Sequence, residues 1–215
     1  MVKAILFDLW GTLVETGVYP SPLRQVKSIL RIRMPFPVFV RRFEQAFMTR
    51  PFDSNMEGFK EAAKALEVSP PPFVFDKLVG LWNKYMILAK PYEETFEVLE
   101  SLRKQFKLAL ISNSDAINSK QVMEKLELAK YFDNVFLSWE VGLLKGEPEF
   151  YEKVLSTMKL NKEDVVVVGD SVESDMEGAE MAGLKGILVD RRDRREFEPK
   201  VRNLRELESK IREVC

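Results

Sequence analysis

Carboxylate side chains stand where two apolar, strand-like runs of this chain end. Asp8 follows the run at residues 5–7 and precedes a Gly11-Thr12 pair, and Asp170 comes shortly after four consecutive valines. A strand that delivers an Asp into such a turn is suited to present a nucleophile at the carboxyl edge of a parallel sheet. Taken alone, a buried strand followed by an ordinary turn would show the same pattern.

Further polar residues follow a predicted strand or precede a predicted helix. Ser112 and Asn113 follow the apolar run at residues 108–111, Lys145 lies in a loop before a predicted helix, and Asp175 lies at the start of another. Considered alone, Ser112 or Asp175 could be a helix cap. Because ligands bind at the carboxyl ends of the strands in open α/β sheets, the whole set predicts one common site.

The composition narrows the chemistry that such a site can use. The 215 residues contain no histidine and one cysteine, Cys215. This excludes Ser-His and Cys-His catalytic pairs, His-ligated metal sites, cysteine-based zinc sites and an intramolecular disulfide bond. Catalysis must therefore rest on carboxylates, Lys and hydroxyl groups, with or without a hard cation.

Nothing in the sequence predicts a membrane protein. Hydrophobic residues make up 46% of the chain and charged residues 31%, which is typical of globular proteins. No apolar run reaches the roughly 18 residues that cross a bilayer. Lys3 directly precedes a strand-like run, which argues against a signal peptide. We therefore expect a cytoplasmic protein with no membrane partner.

Strands and helices alternate from Pro91 onward. The pattern predicts strands at 107–111, 134–137, 164–168 and 186–189, and helices at 93–105, 117–126, 148–158, 176–182 and 204–214. Such alternation indicates a parallel sheet with helices on both faces. The first strand, residues 2–7, must join this sheet because it has no other strand to pair with. We predict an α/β fold with a Rossmann-like parallel sheet.

The segment between these strands has a different pattern. It predicts helices at 21–33, 37–50, 56–67 and 73–88, separated by prolines. We therefore expect an all-helical insert of residues 16–90 within an α/β core formed by residues 1–15 and 91–215.

The predicted insert carries twelve Lys and Arg residues but six Asp and Glu residues. Between Arg24 and Arg50 the single acidic residue is Glu44. The basic run can be a solvated helical face, a surface that attracts an anionic substrate, or a nucleic-acid surface. No aromatic pattern suited to stacking on bases accompanies it, so we expect no nucleic-acid partner.

The order of the polar residues resembles the four motifs of the haloacid dehalogenase superfamily of hydrolases. These are Asp8-x-x-Gly11-Thr12-Leu13, Ser112, Lys145 and Gly169-Asp170-Ser171-x-x-x-Asp175. The resemblance extends over residues 1–15 and about 91–215, and it makes the helical insert similar to that family's cap. It implies the family's fold and Asp-based hydrolysis but leaves the substrate open.

The resemblance also implies a role for each residue. Asp8 would be the nucleophile that forms a covalent aspartyl intermediate. Thr12, Ser112 and Asn113 would orient Asp8 and the transferred group, and Lys145 would neutralise the crowded carboxylates. The implied Mg²⁺ ligands are Asp8, Asp170, Asp175 and the backbone carbonyl of Trp10. Three converging carboxylates repel one another unless a cation lies among them, and Mg²⁺ prefers oxygen ligands.

One position departs from the family's phosphatases. They usually carry a second Asp two residues after the nucleophile as a general acid and base, where this chain has Trp10. Such proton transfer typically contributes about 10²–10⁴-fold in rate. The candidates to replace it are Glu15, an acid of the insert such as Asp53 or Glu57, and a bound water, and the sequence selects none of them.

Three functions are compatible with these residues. The leading expectation is a Mg²⁺-dependent phosphatase of a small phosphorylated metabolite, acting as a monomer or a homodimer. An aromatic residue at Trp10, with Tyr151 six residues after Lys145, resembles the metal-independent L-2-haloacid dehalogenases. Asp170 argues against that alternative, because without a metal it would raise the pKa of Asp8 by repulsion. The third is a catalytically weak protein that binds a phosphorylated ligand or a protein partner.

Overall fold

A parallel sheet forms the centre of the protein in the computed structural model, which describes residues 2–214, so that Cys215 lies outside the described residues. The strands are β1 (Ala4–Asp8), β2 (Val14–Glu15), β3 (Lys90–Pro91), β4 (Lys107–Ser112), β5 (Asn134–Leu137), β6 (Val165–Gly169), β7 (Lys185–Val189) and β8 (Lys200–Val201). Six of them pair in parallel in the order β5-β4-β1-β6-β7-β8, and β2 pairs with β3 in antiparallel orientation. This confirms the predicted α/β fold.

Ten α-helices surround the sheet in the described part of the chain. They are α1 (Pro22–Ile29), α2 (Phe36–Phe47), α3 (Asn55–Ala65), α4 (Pro72–Leu88), α5 (Thr95–Leu102), α6 (Ala116–Lys125), α7 (Ser138–Val141), α8 (Pro148–Met158), α9 (Glu177–Met181) and α10 (Leu207–Val214). Four of them start with a proline in the first turn, where the missing N–H costs no hydrogen bond. Within residues 2–214 no helix is long and apolar enough to span a membrane.

Strand β1 lies in the middle of the sheet and is buried on both faces. Ile5 and Phe7 point into one apolar cluster, and Ala4 and Leu6 point into another on the opposite face. Both faces are covered by helices, which explains why the strand is continuously apolar. Because β1 pairs with β4 on one side and β6 on the other, Asp8 ends at the carboxyl edge between two neighbouring strands.

Helices α1 to α4, here called the helical unit, have an apolar cluster of their own. Phe39, Phe43 and Phe47 of α2 are spaced four residues apart and therefore lie on one face. They pack against Phe59 and Trp82, with the rings of Phe47 and Phe59 centred 4.9 Å apart. The unit therefore contributes an aromatic core separate from the two clusters at the sheet.

A buried polar network joins the helical unit to helix α6 of the core. The Trp82 Nε1–H donates to Asp115 at 3.0 Å, and Asn118 donates to the Trp82 carbonyl at 2.8 Å. Asn55 in turn donates to Asn118 at 2.9 Å. Asp115 also caps α6 by accepting from the backbone N–H groups of its first turn. These hydrogen bonds fix how α3 and α4 lie against α6 of the core.

Candidate active site

Asp8, Lys145 and Asp175 meet at the carboxyl edge of the sheet. The Lys145 Nζ forms salt bridges with Asp8 and with Asp175, the latter at 2.6 Å, and all three side chains are buried. Asp170 lies beside them, with a third of its side chain exposed. Carboxylate oxygens of Asp8, Asp170 and Asp175, here called the carboxylate cluster, lie within 4.8 Å of one another.

Two glycines leave the space that this cluster occupies. Gly11 follows Asp8 in a tight turn with φ of +87°, and a Cβ there would collide with the carboxylate of Asp170. A Cβ on Gly169 would collide with the carboxylate of Asp175. The turn at Gly11 also requires a positive φ, which side-chain-bearing residues rarely adopt. Both glycines are therefore part of the site's geometry.

A single π-helical turn, residues 172–176, positions Asp175. Its Oδ2 accepts a hydrogen bond from the backbone N–H of Ser171 at 3.0 Å, while Oδ1 binds Lys145. Such turns are rare and occur frequently at functional sites. Because both oxygens of Asp175 are engaged, this carboxylate is suited to a structural or water-mediated role beside a cation.

Burial and the neighbouring charges shift the pKa values of the ionisable groups in and beside the carboxylate cluster. Burial raises the pKa of Asp8 to about 6, although Lys145 opposes the shift and Asp175 adds to it. Burial and the charges of Asp8 and Asp175 raise the pKa of Asp170 to about 8. Burial alone would lower the pKa of Lys145, but Asp175 and Asp8 outweigh it and raise that pKa above its usual range. Asp8 and Asp175 thus share one buried ammonium group, whereas Asp170 lies 3.9 Å from the guanidinium group of Arg195.

The donor set fits a hard divalent cation. The Asp8 Oδ2 is buried and has no hydrogen-bond partner among the described residues. The carboxylate cluster supplies oxygen ligands within reach of one another, as Mg²⁺ prefers. A cation there would offset both the burial of these carboxylates and their mutual repulsion, which together raise the pKa values of Asp8 and Asp170. Trp10, whose backbone carbonyl is also a predicted ligand, lies in the turn that follows Asp8.

The remaining predicted site residues lie around the cluster. Thr12 is fully buried, and its Oγ1 has no hydrogen-bond partner among residues 2–214. The Ser112 and Ser114 hydroxyls share a hydrogen bond of 2.6 Å. The Asn113 Oδ1 accepts from the backbone N–H of Lys145 at 2.9 Å, which fixes the loop that carries this lysine. The structure therefore brings all the predicted residues to one edge of the sheet.

The same asparagine leads to a residue for which the sequence predicts no role in the site. The Asn113 Nδ2 donates to the Glu44 carboxylate of α2 at 2.8 Å. Burial raises the pKa of Glu44 to about 7, with the Asn113 hydrogen bond and Lys145 opposing the shift and Asp175 and Asp8 adding to it. Its isolation among basic residues in the sequence was the one signal that could have drawn attention to it.

The two aromatic residues singled out in the sequence lie in different surroundings. Trp10 packs edge-on against Tyr85 of the helical unit, with ring centroids 5.1 Å apart. Tyr151 is buried in the apolar cluster of α8, and its hydroxyl donates to the Asp175 carbonyl at 3.5 Å. Trp10 lines the cavity above the site, whereas Tyr151 supports Asp175 from behind.

A cavity of 1360 Å³ opens over the carboxylate cluster. The sheet contributes the cluster and Lys145, and the helical unit contributes residues of α1, α2 and α4 to its wall. Four arginines also line it: Arg24, Arg41, Arg192 and Arg195. Asp53 and Glu57 lie instead at the start of α3, where Glu57 accepts from the backbone N–H of Asp53. The cavity can therefore hold a small ligand with negative charge.

Comparison with known proteins identifies the family. The sequence pattern of the haloacid dehalogenase-like hydrolases matches residues 2–183. The chain belongs to this hydrolase family. It is 29% identical to a glyceraldehyde 3-phosphate phosphatase of Methanocaldococcus jannaschii, over 96% of each chain.

Solved structures of family members share the fold. A HAD phosphatase from Thermococcus onnurineus has a TM-score of 0.64 and is 22% identical, with 97% of each chain covered. The L-2-haloacid dehalogenase from Xanthobacter autotrophicus has a TM-score of 0.67 and is 17% identical, with 100% of each chain covered. Because phosphatase and dehalogenase superimpose equally well, the fold alone does not separate the two reactions in this family.

Proposed function

We propose that this protein is a Mg²⁺-dependent phosphatase that hydrolyses a small phosphorylated metabolite through Asp8. The observation that carries the proposal is the carboxylate cluster, in which Asp8 and Asp175 share the Lys145 ammonium group and the Asp8 Oδ2 has no hydrogen-bond partner among the described residues. Such a cluster suits a site that works with a cation, as metal-dependent phosphoryl transfer requires. The phosphatase named among its relatives supports the same reaction.

In this mechanism Asp8 attacks the phosphorus atom and forms an aspartyl phosphate, which water then hydrolyses. Lys145 holds Asp8 in place and offsets the negative charge that gathers on the phosphoryl oxygens. Asn113 fixes the Lys145 loop, and Thr12, which is fully buried in the turn after Asp8, would help to orient that carboxylate. Asp8, Asp170, Asp175 and the Trp10 carbonyl would hold Mg²⁺, which supplies positive charge for the transferred phosphoryl group.

We propose that the helical unit acts as a cap over this chemistry. We assign residues 16–90 to it, joined to the core by the β2 and β3 pair. Residues of α1, α2 and α4 face the cavity from the side opposite the sheet. A cap excludes bulk water from the aspartyl phosphate and selects the substrate. The cavity arginines favour an anionic substrate of metabolite size.

Phosphate release from a panel of phosphate esters tests the proposal. The panel contains sugar and triose phosphates, an acyl phosphate and an aryl phosphate, each assayed with Mg²⁺ and with a chelator. We expect Mg²⁺-dependent release that Asp8→Asn lowers by roughly 10³-fold or more, because the variant lacks the nucleophile. A turnover rate unchanged in Asp8→Asn would contradict the covalent mechanism.

The other two functions give different results in the same assay. Halide release from 2-haloacids in the presence of chelator would identify a dehalogenase. If neither phosphate nor halide is released but inorganic phosphate raises the thermal stability, the protein is a binding protein with this fold.

A further inference from the structure

The proposed reaction needs a proton donor for the leaving oxygen. This chain lacks the Asp that the family's phosphatases usually carry for this purpose two residues after the nucleophile. An alkyl phosphate releases an alkoxide, which leaves readily only if it is protonated as the bond breaks. Trp10 occupies the position two residues after Asp8 and cannot donate this proton. Among the side chains that face the cavity, a carboxyl group is best suited to donate it.

The cavity wall leaves Glu44 as the best placed acid. Outside the carboxylate cluster, the other acidic residues on the wall are Glu15, Glu147, Glu173 and Glu177. Glu173 and Glu177 are exposed, Glu15 forms a salt bridge with Lys90, and Glu147 accepts from a backbone N–H. Glu44 is partly buried and forms no salt bridge with any described residue.

Helix α2 presents Glu44 to the cavity for a simple geometric reason. The face of α2 with Phe39, Phe43 and Phe47 is buried in the helical unit, and a second face with Val40, Arg41 and Glu44 lines the cavity. Asn113 then fixes the carboxylate, since its Nδ2 donates to Oε2 and its Oδ1 is held by Lys145. The described residues give Oε1 no hydrogen-bond partner.

Building on the proposed phosphatase function, we propose that Glu44 donates the proton to the leaving oxygen and then activates the attacking water. Asp8 forms the bond to phosphorus, the ester P–O bond breaks, and its electron pair takes the Glu44 proton to give a neutral alcohol. Water next attacks the phosphorus while Glu44 takes its proton, and the bond from Asp8 to phosphorus breaks. Phosphate leaves, and Glu44 is protonated again.

The charges around Glu44 support both halves of this cycle. Lys145, Asp175 and Asp8 face it from the sheet, and Arg41 lies one turn earlier on its own helix. Burial raises the pKa of Glu44 to about 7, with the Asn113 hydrogen bond and Lys145 opposing the shift and Asp175 and Asp8 adding to it. At neutral pH the group is therefore present both as an acid and as a base, the condition under which general acid–base catalysis is most effective.

The variant Glu44→Gln tests this acid–base role. The Gln amide oxygen can still accept the hydrogen bond from Asn113, but the amide group cannot act as a general acid or base. The substrates are the best alkyl phosphate of the panel and p-nitrophenyl phosphate, whose leaving group needs little protonation. We expect kcat for the alkyl ester to fall by about 10²-fold more than kcat for the aryl ester. Glu61→Gln, at a half-buried position of α3 that pairs with Arg50 and does not line the cavity, is the matched control and should alter neither rate.

The pH profile adds a second readout. With the wild type, kcat for the alkyl ester should fall as pH rises through about 7, and this limb should be absent in Glu44→Gln. Equal losses for both esters, or wild-type rates in Glu44→Gln, would show that Glu44 only supports Asn113. A wild type that hydrolyses the aryl ester but no alkyl ester would also overturn the proposal. Absence of Mg²⁺-dependent release from either ester would instead overturn the phosphatase function itself.

Discussion

At the scale of single residues, the carboxylate cluster is a source of instability retained for chemistry. Asp170 has a pKa of about 8 because of burial and the charges of Asp8 and Asp175. A carboxyl group with a higher pKa in the folded than in the unfolded chain binds more protons when folded. Its contribution to stability therefore declines as pH rises from about 4 to about 8.

We therefore predict that Asp170→Asn stabilises the metal-free protein at pH 8 and removes its response to Mg²⁺. In chelator, the Tm of the variant should exceed that of the wild type by roughly 2 °C or more, since about 1 kcal/mol corresponds to 2–4 °C at this size. Thermal unfolding at pH 4.5 and pH 8, with chelator or Mg²⁺, measures both effects. Asp76→Asn, on the surface of α4, is the control. An equal rise in Tm with Mg²⁺ in Asp170→Asn would remove this residue from the metal site.

At the scale of elements, one buried side chain ties a core helix to the helical unit. Asp115 caps α6 through the N–H groups of Ile117 and Asn118, and it also accepts from Trp82 of α4. Burial raises the pKa of Asp115, with these hydrogen bonds opposing the shift. Removing its carboxylate would leave both the helix end and the indole N–H unsatisfied.

We predict that Asp115→Ala lowers the free energy of unfolding by about 2–4 kcal/mol, the sum of a lost cap and an orphaned buried donor. Urea unfolding followed by circular dichroism measures the change. Ser54→Ala removes only the cap of α3 and should cost about 1 kcal/mol. Similar losses in the two variants would mean that the hydrogen bond to Trp82 contributes little.

The accuracy of the sequence-based prediction also varies with the element. Two elements, the short strand β5 and the longer helix α8, begin and end at the predicted residues. The two-residue strands β2, β3 and β8 were not predicted, because pairs this short depend on tertiary contacts rather than on local pattern. The site residues of the core were predicted to converge because parallel strands share one carboxyl edge. Glu44 was missed because its partner Asn113 lies 69 residues away in the chain.

At the scale of the whole molecule, the distribution of charge bears on how substrate reaches the site. The net charge of the chain is −1, yet residues 16–90 have a clear excess of basic residues. Four arginines of the cavity wall, two from this segment, surround a cluster of carboxylates. Positive charge at the rim of the cavity attracts an anionic substrate past the acidic centre.

Such attraction predicts that the reaction depends on ionic strength. Raising KCl from about 20 mM to about 500 mM should lower kcat/KM by about 10-fold while kcat changes little, because salt screens the approach but not the buried chemistry. Steady-state kinetics with a phosphate ester of the panel measures this. The double variant Arg41→Gln, Arg192→Gln should weaken the dependence, whereas Arg103→Gln, on the opposite side of the core, should retain it. A salt effect confined to kcat would contradict substrate attraction.

The packing of Trp10 against Tyr85 also gives the protein an internal optical probe. The indole lies between the sheet and the helical unit and lines the cavity. Its fluorescence emission should therefore change when a ligand binds in the cavity or displaces water from it. Of the other two indoles, Trp82 also borders the cavity but is buried and donates a hydrogen bond to Asp115, and Trp139 lies under the Lys120 ammonium group. Occupancy of the cavity can therefore be followed by intrinsic fluorescence in real time, without a label.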